Sequence, residues 1–128
     1  MSETELIQAA LAVRKKAYAP YSKFHVGAAL LTTGGEVFVG CNVENSSYGL
    51  AICAERYAIG AMVAAGHKSI AKIVVAATPL ASPCGACRQF IIEFGEDIEV
   101  VSVDANDPDQ LNRWSITELI PHHFHFNK

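Results

Sequence analysis

The sequence predicts a single α/β domain in which helices flank one mixed, five-stranded β-sheet. Three observations support this fold class. Helix and strand patterns alternate along residues 1–128, one stretch of consecutive apolar residues is typical of a strand buried on both faces, and two strands are separated by a hairpin turn. The element order is one helix, two strands, one helix, one strand, one helix and two strands. This order requires parallel-type crossovers beside the hairpin.

The first half of the chain is predicted to form a helix, a hairpin and a second helix. Ser2-x-x-Glu5 is typical of a capping box at a helix start, and Pro20 fixes the loop that follows this helix. Gly66 is expected to end the Ala-rich second helix. The predicted bounds are Ser2 to about Ala17 for the first helix, Val26–Thr32 and Val37–Asn42 for the strands, Thr33–Glu36 for their turn, Val43–Ile52 for a loop, and Cys53–Ala65 for the second helix.

The second half is predicted to continue with a buried strand, a helix and two further strands. The buried strand is a run of apolar residues with a single lysine, as expected where both faces are covered. Pro83 is placed near the first position of the helix, where its missing N–H is harmless. The predicted bounds are Ile70–Ala77 for the strand, Ser82 to about Phe94 for the helix, Glu99–Val103 for the next strand, Asp104–Asp109 for a turn, Gln110–Ser115 for a short strand, and Thr117–Ile120 for a helical turn.

Composition limits the classes of protein to which the chain can belong. Hydrophobic residues make up 51% of the chain and charged residues only 18%, against about 25% charged in a typical soluble domain. A membrane-spanning helix needs about 20 nearly continuous apolar residues, and the longest apolar stretches are interrupted by Glu55, Arg56 and Lys72. No secretory signal is expected in residues 1–12, which carry Glu3 and Glu5. We therefore expect a cytoplasmic protein whose surplus apolar residues form subunit contacts.

The strongest chemical signal is the combination of Cys53-x-Glu55 with Pro83-Cys84-x-x-Cys87. Cys84 and Cys87 are three positions apart, so on a helix their sulfur atoms lie on one face. Cys53 adds a third thiolate from the start of another helix, where the positive end of the helix dipole favours thiolate over thiol. Zinc in a catalytic site takes three protein ligands and keeps one position for water. The spacing therefore predicts a catalytic zinc site.

Glu55 is the residue that would make such a zinc site catalytic. A carboxylate beside three thiolates can take a proton from zinc-bound water, and zinc deaminases carry a glutamate outside the ligand set in this role. Because three thiolates leave the site negative, Arg56 and Arg88 are candidates to donate hydrogen bonds to the sulfur atoms. Two alternatives remain open: Cys41 completes a structural four-cysteine zinc site, or the cysteines hold no metal.

Along almost its whole length, the chain resembles the small, single-domain cytidine deaminases. The segments that carry the resemblance are Tyr18–Phe24 (YAPYSKF), Val26–Leu30 (VGAAL), Gly40–Asn45 (GCNVEN), Cys53–Arg56 (CAER), Ser82–Gln89 (SPCGACRQ) and Glu118–Pro121 (ELIP). The resemblance implies a three-layer α-β-α sandwich and one Zn²⁺ per subunit. It also implies that cytidine and 2′-deoxycytidine are hydrolysed to uridine, 2′-deoxyuridine and ammonia in pyrimidine salvage.

The resemblance implies a role for each residue of the zinc site. Cys53, Cys84 and Cys87 would bind the zinc ion, and Arg56 would donate to their thiolates. Glu55 would take a proton from the bound water and pass protons to the pyrimidine ring and to the leaving ammonia.

The resemblance implies substrate contacts as well. Phe24 would stack on the pyrimidine, and Asn42 and Glu44 would hold the ribose hydroxyls, for which an amide and a carboxylate offer donors and acceptors. Backbone groups around Ala54 and in residues 82–84 would read the edge of the base. The implied assembly is a homotetramer in which each subunit extends three further side chains into a neighbour's pocket. These are Ser46, Tyr48 and Phe124.

Other classes of function make different demands on the sequence. A nucleic-acid editor would need a basic surface, whereas the net charge is −3 and no basic stripe is present. A zinc-stabilised interaction module would have no use for Glu55. A deaminase of another small substrate, such as an aminopyrimidine antibiotic nucleoside, shares the zinc motifs, and the Asn42–Glu44 pair argues against it. Neither nucleic acid nor a membrane is expected as a partner.

Overall fold

A five-stranded mixed sheet runs through the centre of the protein. The structure is a computed structural model that describes residues 1–126. The strands are β1 (Gly27–Thr32), β2 (Val37–Cys41), β3 (Ile70–Ala77), β4 (Glu99–Asp104) and β5 (Asp107–Ser115). The helices are α1 (Glu3–Arg14), α2 (Ala54–Ala64), α3 (Gly85–Ile92) and α4 (Ile116–Leu119), with a short 3₁₀ turn at Tyr48–Leu50. The predicted mixed five-stranded sheet with flanking helices is confirmed.

The strands follow the order β2-β1-β3-β4-β5 across the sheet. β1 pairs antiparallel with β2 and with β3, β3 pairs parallel with β4 through the α3 crossover, and β5 returns antiparallel to β4. This arrangement brings the starts of α2 and α3 to the same edge of the sheet as the carboxyl end of β3. Ligand sites of α/β sheets typically lie at such an edge.

Two separate apolar cores confirm the predicted three layers. On one face of the sheet, α1 packs Leu6 and Ala10 against Ala29, Val74 and Val101. On the other face, residues of α2 and α3 pack with the remaining side of the strands and with the first residue of α4. β3 contributes to both cores, as the run of apolar residues predicted for it requires.

A close approach between β2 and α2 depends on Gly40. A Cβ atom at this position would lie 2.5 Å from the main-chain nitrogen of Ala58 and 2.6 Å from the carbonyl oxygen of Ala54. Real side chains do not tolerate contacts of this length with backbone atoms, so only glycine allows the first turns of α2 to rest directly on the strand. The packing at Gly40 thereby sets the height of the start of α2 above the sheet.

Three predicted boundaries are wrong in informative ways. α3 begins at Gly85 and not at Ser82, because Cys84 is extended (ψ 169°) and takes the N-cap position, which leaves Pro83 outside the helix. β5 begins at Asp107 and not at Gln110, because Asp104 accepts a 2.8 Å hydrogen bond from the main chain of Asn106 and so closes a shorter turn. α1 ends at Arg14, three residues before Ala17.

No helix within residues 1–126 is long and apolar enough to cross a membrane.

A cluster of ion pairs joins α1 to the sheet and makes stability depend on pH. Glu3 pairs with Arg113 of β5, with a 2.7 Å bond from Nη2 to Oε2, and with Lys72 of β3 at 3.3 Å. The Arg113 hydrogen bond is the main cause that lowers the pKa of Glu3 from 4.5 to about 2. Because the folded-state pKa is the lower one, this stabilisation is complete above pH 4.5 and is lost as the pH falls towards 2.

We expect Glu3→Gln to lower the free energy of unfolding by about 1 kcal/mol at pH 7, since the pairs are partly solvent-screened. The difference from the unsubstituted protein should shrink between pH 4.5 and about 2. Urea unfolding at several pH values measures both effects. Asp109→Asn, which alters an exposed carboxylate of β5, is the control. A loss of stability in Glu3→Gln that does not change with pH would contradict this account.

Candidate metal centre and active site

Three cysteine sulfur atoms meet at the starts of two helices. Cys53 is the N-cap residue of α2, Cys84 is the N-cap residue of α3, and Cys87 lies in the first turn of α3. The three Sγ atoms all lie within 4.8 Å of one another, and those of Cys53 and Cys84 are 3.8 Å apart. Tetrahedral zinc with Zn–S bonds of about 2.3 Å places its sulfur ligands about 3.8 Å apart. The three cysteines therefore fit three corners of a zinc site.

Cys41 does not belong to this group. Among residues 1–126, the set of side chains that could hold a metal consists of Cys53, Cys84 and Cys87 alone. Cys41 lies at the end of β2, where it pairs with Gly27 of β1. The alternative of a structural four-cysteine zinc site is therefore wrong, and a fourth zinc position is left for a small molecule.

The thiols strongly affect one another's ionisation. The contact with Cys87, followed by the Arg56 guanidinium, lowers the pKa of Cys53 to about 5. The contact with Cys53, followed by burial, raises the pKa of the Cys87 thiol above its ordinary value. One thiolate thus suppresses ionisation of the next, because like charges at this distance repel. A divalent cation would remove this conflict and allow all three thiolates to form.

The two candidate arginines differ in what they contact. Arg56 directs Nη2 at Cys53 Sγ over 3.7 Å, and its buried Nε has no hydrogen-bond partner in the described part of the chain. A cationic donor facing the sulfur cluster agrees with the predicted compensation of thiolate charge. The same prediction is wrong for Arg88, whose guanidinium donates to oxygen atoms of Ser82, Pro83 and Leu119.

Glu55 is buried beside the sulfur atoms. It lies in the first turn of α2, two residues after Cys53, and only 4% of its surface is exposed. Burial is the main cause that raises the pKa of this carboxyl group from 4.5 to about 7, and the charge on Cys53 contributes to this rise. An acid with a pKa near the working pH can both accept and release a proton during a reaction. Glu55 is therefore placed and poised for general acid and base catalysis.

A cavity of about 180 Å³ opens beside Glu55 and two of the cysteines. It is lined by seven of the residues singled out from the sequence, namely Phe24, Asn42, Cys53, Ala54, Glu55, Ser82 and Cys84. Sequence reasoning missed the apolar walls, which are Val26, Val75, Ala77 and Ala81. Their positions in the sequence could have indicated them, because they lie next to the strand ends at the sheet edge where both helices begin. The cavity is smaller than the roughly 300–1,000 Å³ of typical ligand sites, so it can enclose only part of a larger molecule.

Asn42 holds the cavity wall together. Its Oδ1 accepts a 2.9 Å hydrogen bond from the main chain of Val26, and its Nδ2 donates 2.8 Å to the carbonyl oxygen of Phe24. These two bonds fix the backbone next to the Phe24 side chain. An amide has two donor hydrogens and an acceptor with two lone pairs, so one donor and one acceptor position remain for a ligand.

Glu44, Ser46 and Tyr48 lie outside this cavity. Glu44 and Tyr48 line a neighbouring depression together with Tyr21 and Ser22. The Glu44 carboxylate accepts hydrogen bonds from the main chain of Tyr21 and Ser22 at 3.0 and 3.1 Å, and it also accepts one from the Ser22 hydroxyl. Ser46 bonds the Tyr21 hydroxyl at 2.6 Å. This network fixes the loop that carries Phe24.

Phe124 also lies apart from the cavity of its own chain. Its main-chain oxygen accepts a 2.9 Å hydrogen bond from Gln89 of α3, and its ring packs edge-on against Phe126. The side chain is 65% exposed. Residues 127 and 128, which complete the histidine-rich C-terminal segment, lie outside the described residues.

Comparison with known proteins identifies the family. Residues 1–103 match the family described as the cytidine and deoxycytidylate deaminase zinc-binding region. The chain belongs to this deaminase family. It is 51% identical to a protein of Dictyostelium discoideum named probable cytidine deaminase, over 94% of this chain and 84% of that protein.

Solved structures of the deaminase family confirm the fold. A cytidine deaminase from Burkholderia pseudomallei superposes with a TM-score of 0.90 at 48% identity, covering 97% of this chain and all of that one. A cytidine deaminase from Mycobacterium tuberculosis gives a TM-score of 0.83 at 32% identity, covering 98% and 99% of the two chains. Membership of a zinc-binding deaminase family, together with the fit of the three sulfur atoms, shows a zinc-dependent hydrolase with one zinc ion per subunit.

Proposed function

We propose that the protein hydrolyses cytidine and 2′-deoxycytidine to uridine, 2′-deoxyuridine and ammonia, with residues 1–128 acting as one catalytic domain. The observation that carries the proposal is the position of Glu55, a buried carboxyl group in the same cavity as two of the zinc-binding cysteines. The names of the similar proteins support the choice of cytidine. We also propose a cytoplasmic location and a role in pyrimidine salvage.

The chemistry divides between the metal and Glu55. When bound by Cys53, Cys84 and Cys87, zinc acts as a Lewis acid that makes water a better nucleophile near neutral pH. Glu55 would accept one proton from the attacking water and pass it to the ring nitrogen. It would then accept the second proton, from the hydroxyl group newly formed on the ring carbon, and pass it to the departing amine. The net reaction consumes one water molecule and releases one ammonia molecule. Arg56 offsets the negative charge of the thiolates throughout.

The shape of the site supports a division of the nucleoside between two compartments. The cavity beside Glu55 is of a size to enclose a base, with the Phe24 ring available for stacking. Backbone groups of Ala54 and residues 82–84 would read the edge of the base. The ribose would then lie towards Asn42 and the neighbouring depression that contains Glu44, whose carboxylate can accept hydrogen bonds from hydroxyl groups.

An ultraviolet assay of cytidine, 2′-deoxycytidine, cytosine and CMP, with parallel measurement of ammonia, tests the proposal. We expect equimolar ammonia and deaminated product from the two nucleosides. Cytosine lacks the ribose contacts of Asn42 and Glu44, and CMP brings a phosphate charge near the Glu44 carboxylate, so both should react more slowly. Turnover of cytosine or CMP in preference to the nucleosides, or of none of the four, would contradict the proposal.

We further propose a homotetramer in which neighbouring subunits share their active sites. Tyr48 is 80% exposed and Phe124 is 65% exposed. Each packs against another exposed aromatic ring, Tyr21 and Phe126 respectively, and adjoining exposed apolar groups are typical of interaction surfaces. Tyr48, Phe124 and the exposed Ser46 are the residues expected to reach a neighbour's pocket. Exposed apolar groups on a chain with few charged residues support this use of its surface.

Mixing inactive subunits tests for shared sites. Phe124→Ala retains Glu55, whereas Glu55→Gln retains Phe124. A shared site needs Glu55 from one subunit and Phe124 from its neighbour, and each is present in about half of the subunits of a random 1:1 mixture. About a quarter of the sites should therefore regain activity. Mixing Phe124→Ala with the double variant Glu55→Gln/Phe124→Ala is the matched control and should regain none. Activity that never exceeds this control would overturn the sharing of sites, and a monomeric mass by light scattering would overturn the tetramer.

A further inference from the structure

The loop before α3, residues 81–84, forms one wall of the cavity and also carries a zinc ligand. Ala81, Ser82 and Cys84 line the cavity, while Pro83 is buried behind them. Cys84 occupies the N-cap position of α3 without a side-chain hydrogen bond to the helix. The capping bond that usually fixes such a junction is therefore missing, and other contacts must hold the loop in place.

Arg88 supplies these contacts from the next turn of α3. Its Nε donates 2.7 Å to the carbonyl oxygen of Pro83, and its Nη2 donates 3.0 Å to the Ser82 hydroxyl. Its Nη1 donates 2.8 Å to the carbonyl oxygen of Leu119. Three nitrogen atoms of one rigid, planar group thus bind three different acceptors at once, which the single ammonium group of lysine cannot reproduce.

The loop is connected to two well-ordered elements, α4 through Arg88 and β4 through Ser102. Leu119 is the last residue of α4, a turn that begins with a capping box between Ser115 and Glu118. The carbonyl groups at a helix end need a partner from outside the helix, and Arg88 provides one here. At the other end of the loop, the buried Ser102 of β4 donates 2.5 Å to the carbonyl oxygen of Ala81. The loop is therefore clamped on both sides.

We propose that Arg88 is a positioning residue for the substrate. It binds the Ser82 hydroxyl and the Pro83 carbonyl oxygen and so holds this loop where the edge of the base must bind. This inference rests on the proposed function, because the loop reads a base only if the substrate is a nucleoside. The Arg88 guanidinium directs its three hydrogen bonds at oxygen atoms, so its role is distinct from that of Arg56, which faces the sulfur atoms.

Steady-state kinetics of Arg88→Lys and Arg88→Gln with cytidine test the inference. We expect a rise in KM of about tenfold for Arg88→Gln, from the loss of charged hydrogen bonds that shape the site. Arg88→Lys should show a smaller rise, because lysine retains the charge but can satisfy fewer of the acceptors. Zinc content should remain one per subunit. Arg113→Gln, which breaks ion pairs far from the cavity, is the matched control for lost stability.

The outcomes separate this inference from the proposed function. If the unsubstituted protein fails to deaminate cytidine, the proposed function fails first. If it turns over cytidine, an unchanged KM in both Arg88 variants, with only a lower melting temperature as in Arg113→Gln, overturns the positioning role. Loss of zinc from Arg88→Lys also overturns it, because Arg88 would then act through the metal ligands. Should Arg88→Gln not fold, Arg88→Lys decides the question.

Discussion

Glu55→Gln is expected to reduce the turnover of cytidine by about 10³-fold or more while one zinc ion per subunit is retained. The amide is close to the carboxyl group in size, so the packing of α2 should survive, but an amide cannot accept or deliver the proton. General acid and base catalysis contributes about 10²–10⁴-fold to enzyme rates, and here a single residue serves several proton transfers. Rates from single turnovers, with zinc measured on the same samples, provide the comparison.

The stability of Glu55→Gln offers an independent check of this assignment. Burial raises the pKa of Glu55 to about 7, so the ionised carboxylate destabilises the folded state at high pH. Removal of the ionisable group should therefore leave the protein at least as stable as before in the zinc-free state above pH 7. A variant with undiminished turnover would rule out Glu55 as the proton carrier.

Cys87→Ser is expected to abolish both zinc binding and activity. The Cys87 sulfur is fully buried, and a serine hydroxyl at the same place is a poor zinc ligand that stays protonated near neutral pH. Substitution of a residue that only hydrogen-bonds to a metal ligand lowers metal affinity by about 10–100-fold. Because Cys87 is itself a ligand, we expect zinc affinity to fall by more than about 100-fold. Competition with a chromogenic chelator measures the affinity, and the same assay follows the activity.

Cys41→Ser is the matched control for this experiment. It makes the same chemical change in a cysteine of the same chain that lies outside the sulfur cluster. We expect its zinc content and turnover to match those of the unsubstituted protein. Zinc loss from Cys41→Ser would restore the structural four-cysteine site that the geometry argues against.

The zinc site could be predicted from the sequence because local geometry decides it. Cys84 and Cys87 share a helix face through their spacing, and Cys53 joins them because both helices start at one edge of the sheet. Arg56, three residues after Cys53, faces the sulfur atoms for the same reason. Arg88 was assigned the wrong partner because it directly follows Cys87, and consecutive helical residues point about 100° apart.

The cavity walls could not be predicted in the same way. Val75 is a buried residue of β3, and Val26 is a partly buried residue that directly precedes β1. Their pattern indicates only that they face a core, and they meet at the cavity because β1 and β3 are neighbours. β5 was predicted too short because its first residues are polar and exposed, and main-chain pairing at a sheet edge leaves no trace in the side-chain pattern. The positions of Ser46, Tyr48 and Phe124 relative to a partner stay predictions.

The tight packing at Gly40 gives this remote position influence over chemistry in which it takes no part. A methyl group there would collide with the backbone of α2 and push the first turn of the helix outward. Cys53 and Glu55 would move with that turn, whereas Cys84 is anchored separately on α3. The distances from Cys84 to Cys53 and to Glu55 therefore depend on the absence of a side chain at residue 40. In a mutational scan for activity, residue 40 would behave as an active-site position although it carries no functional group.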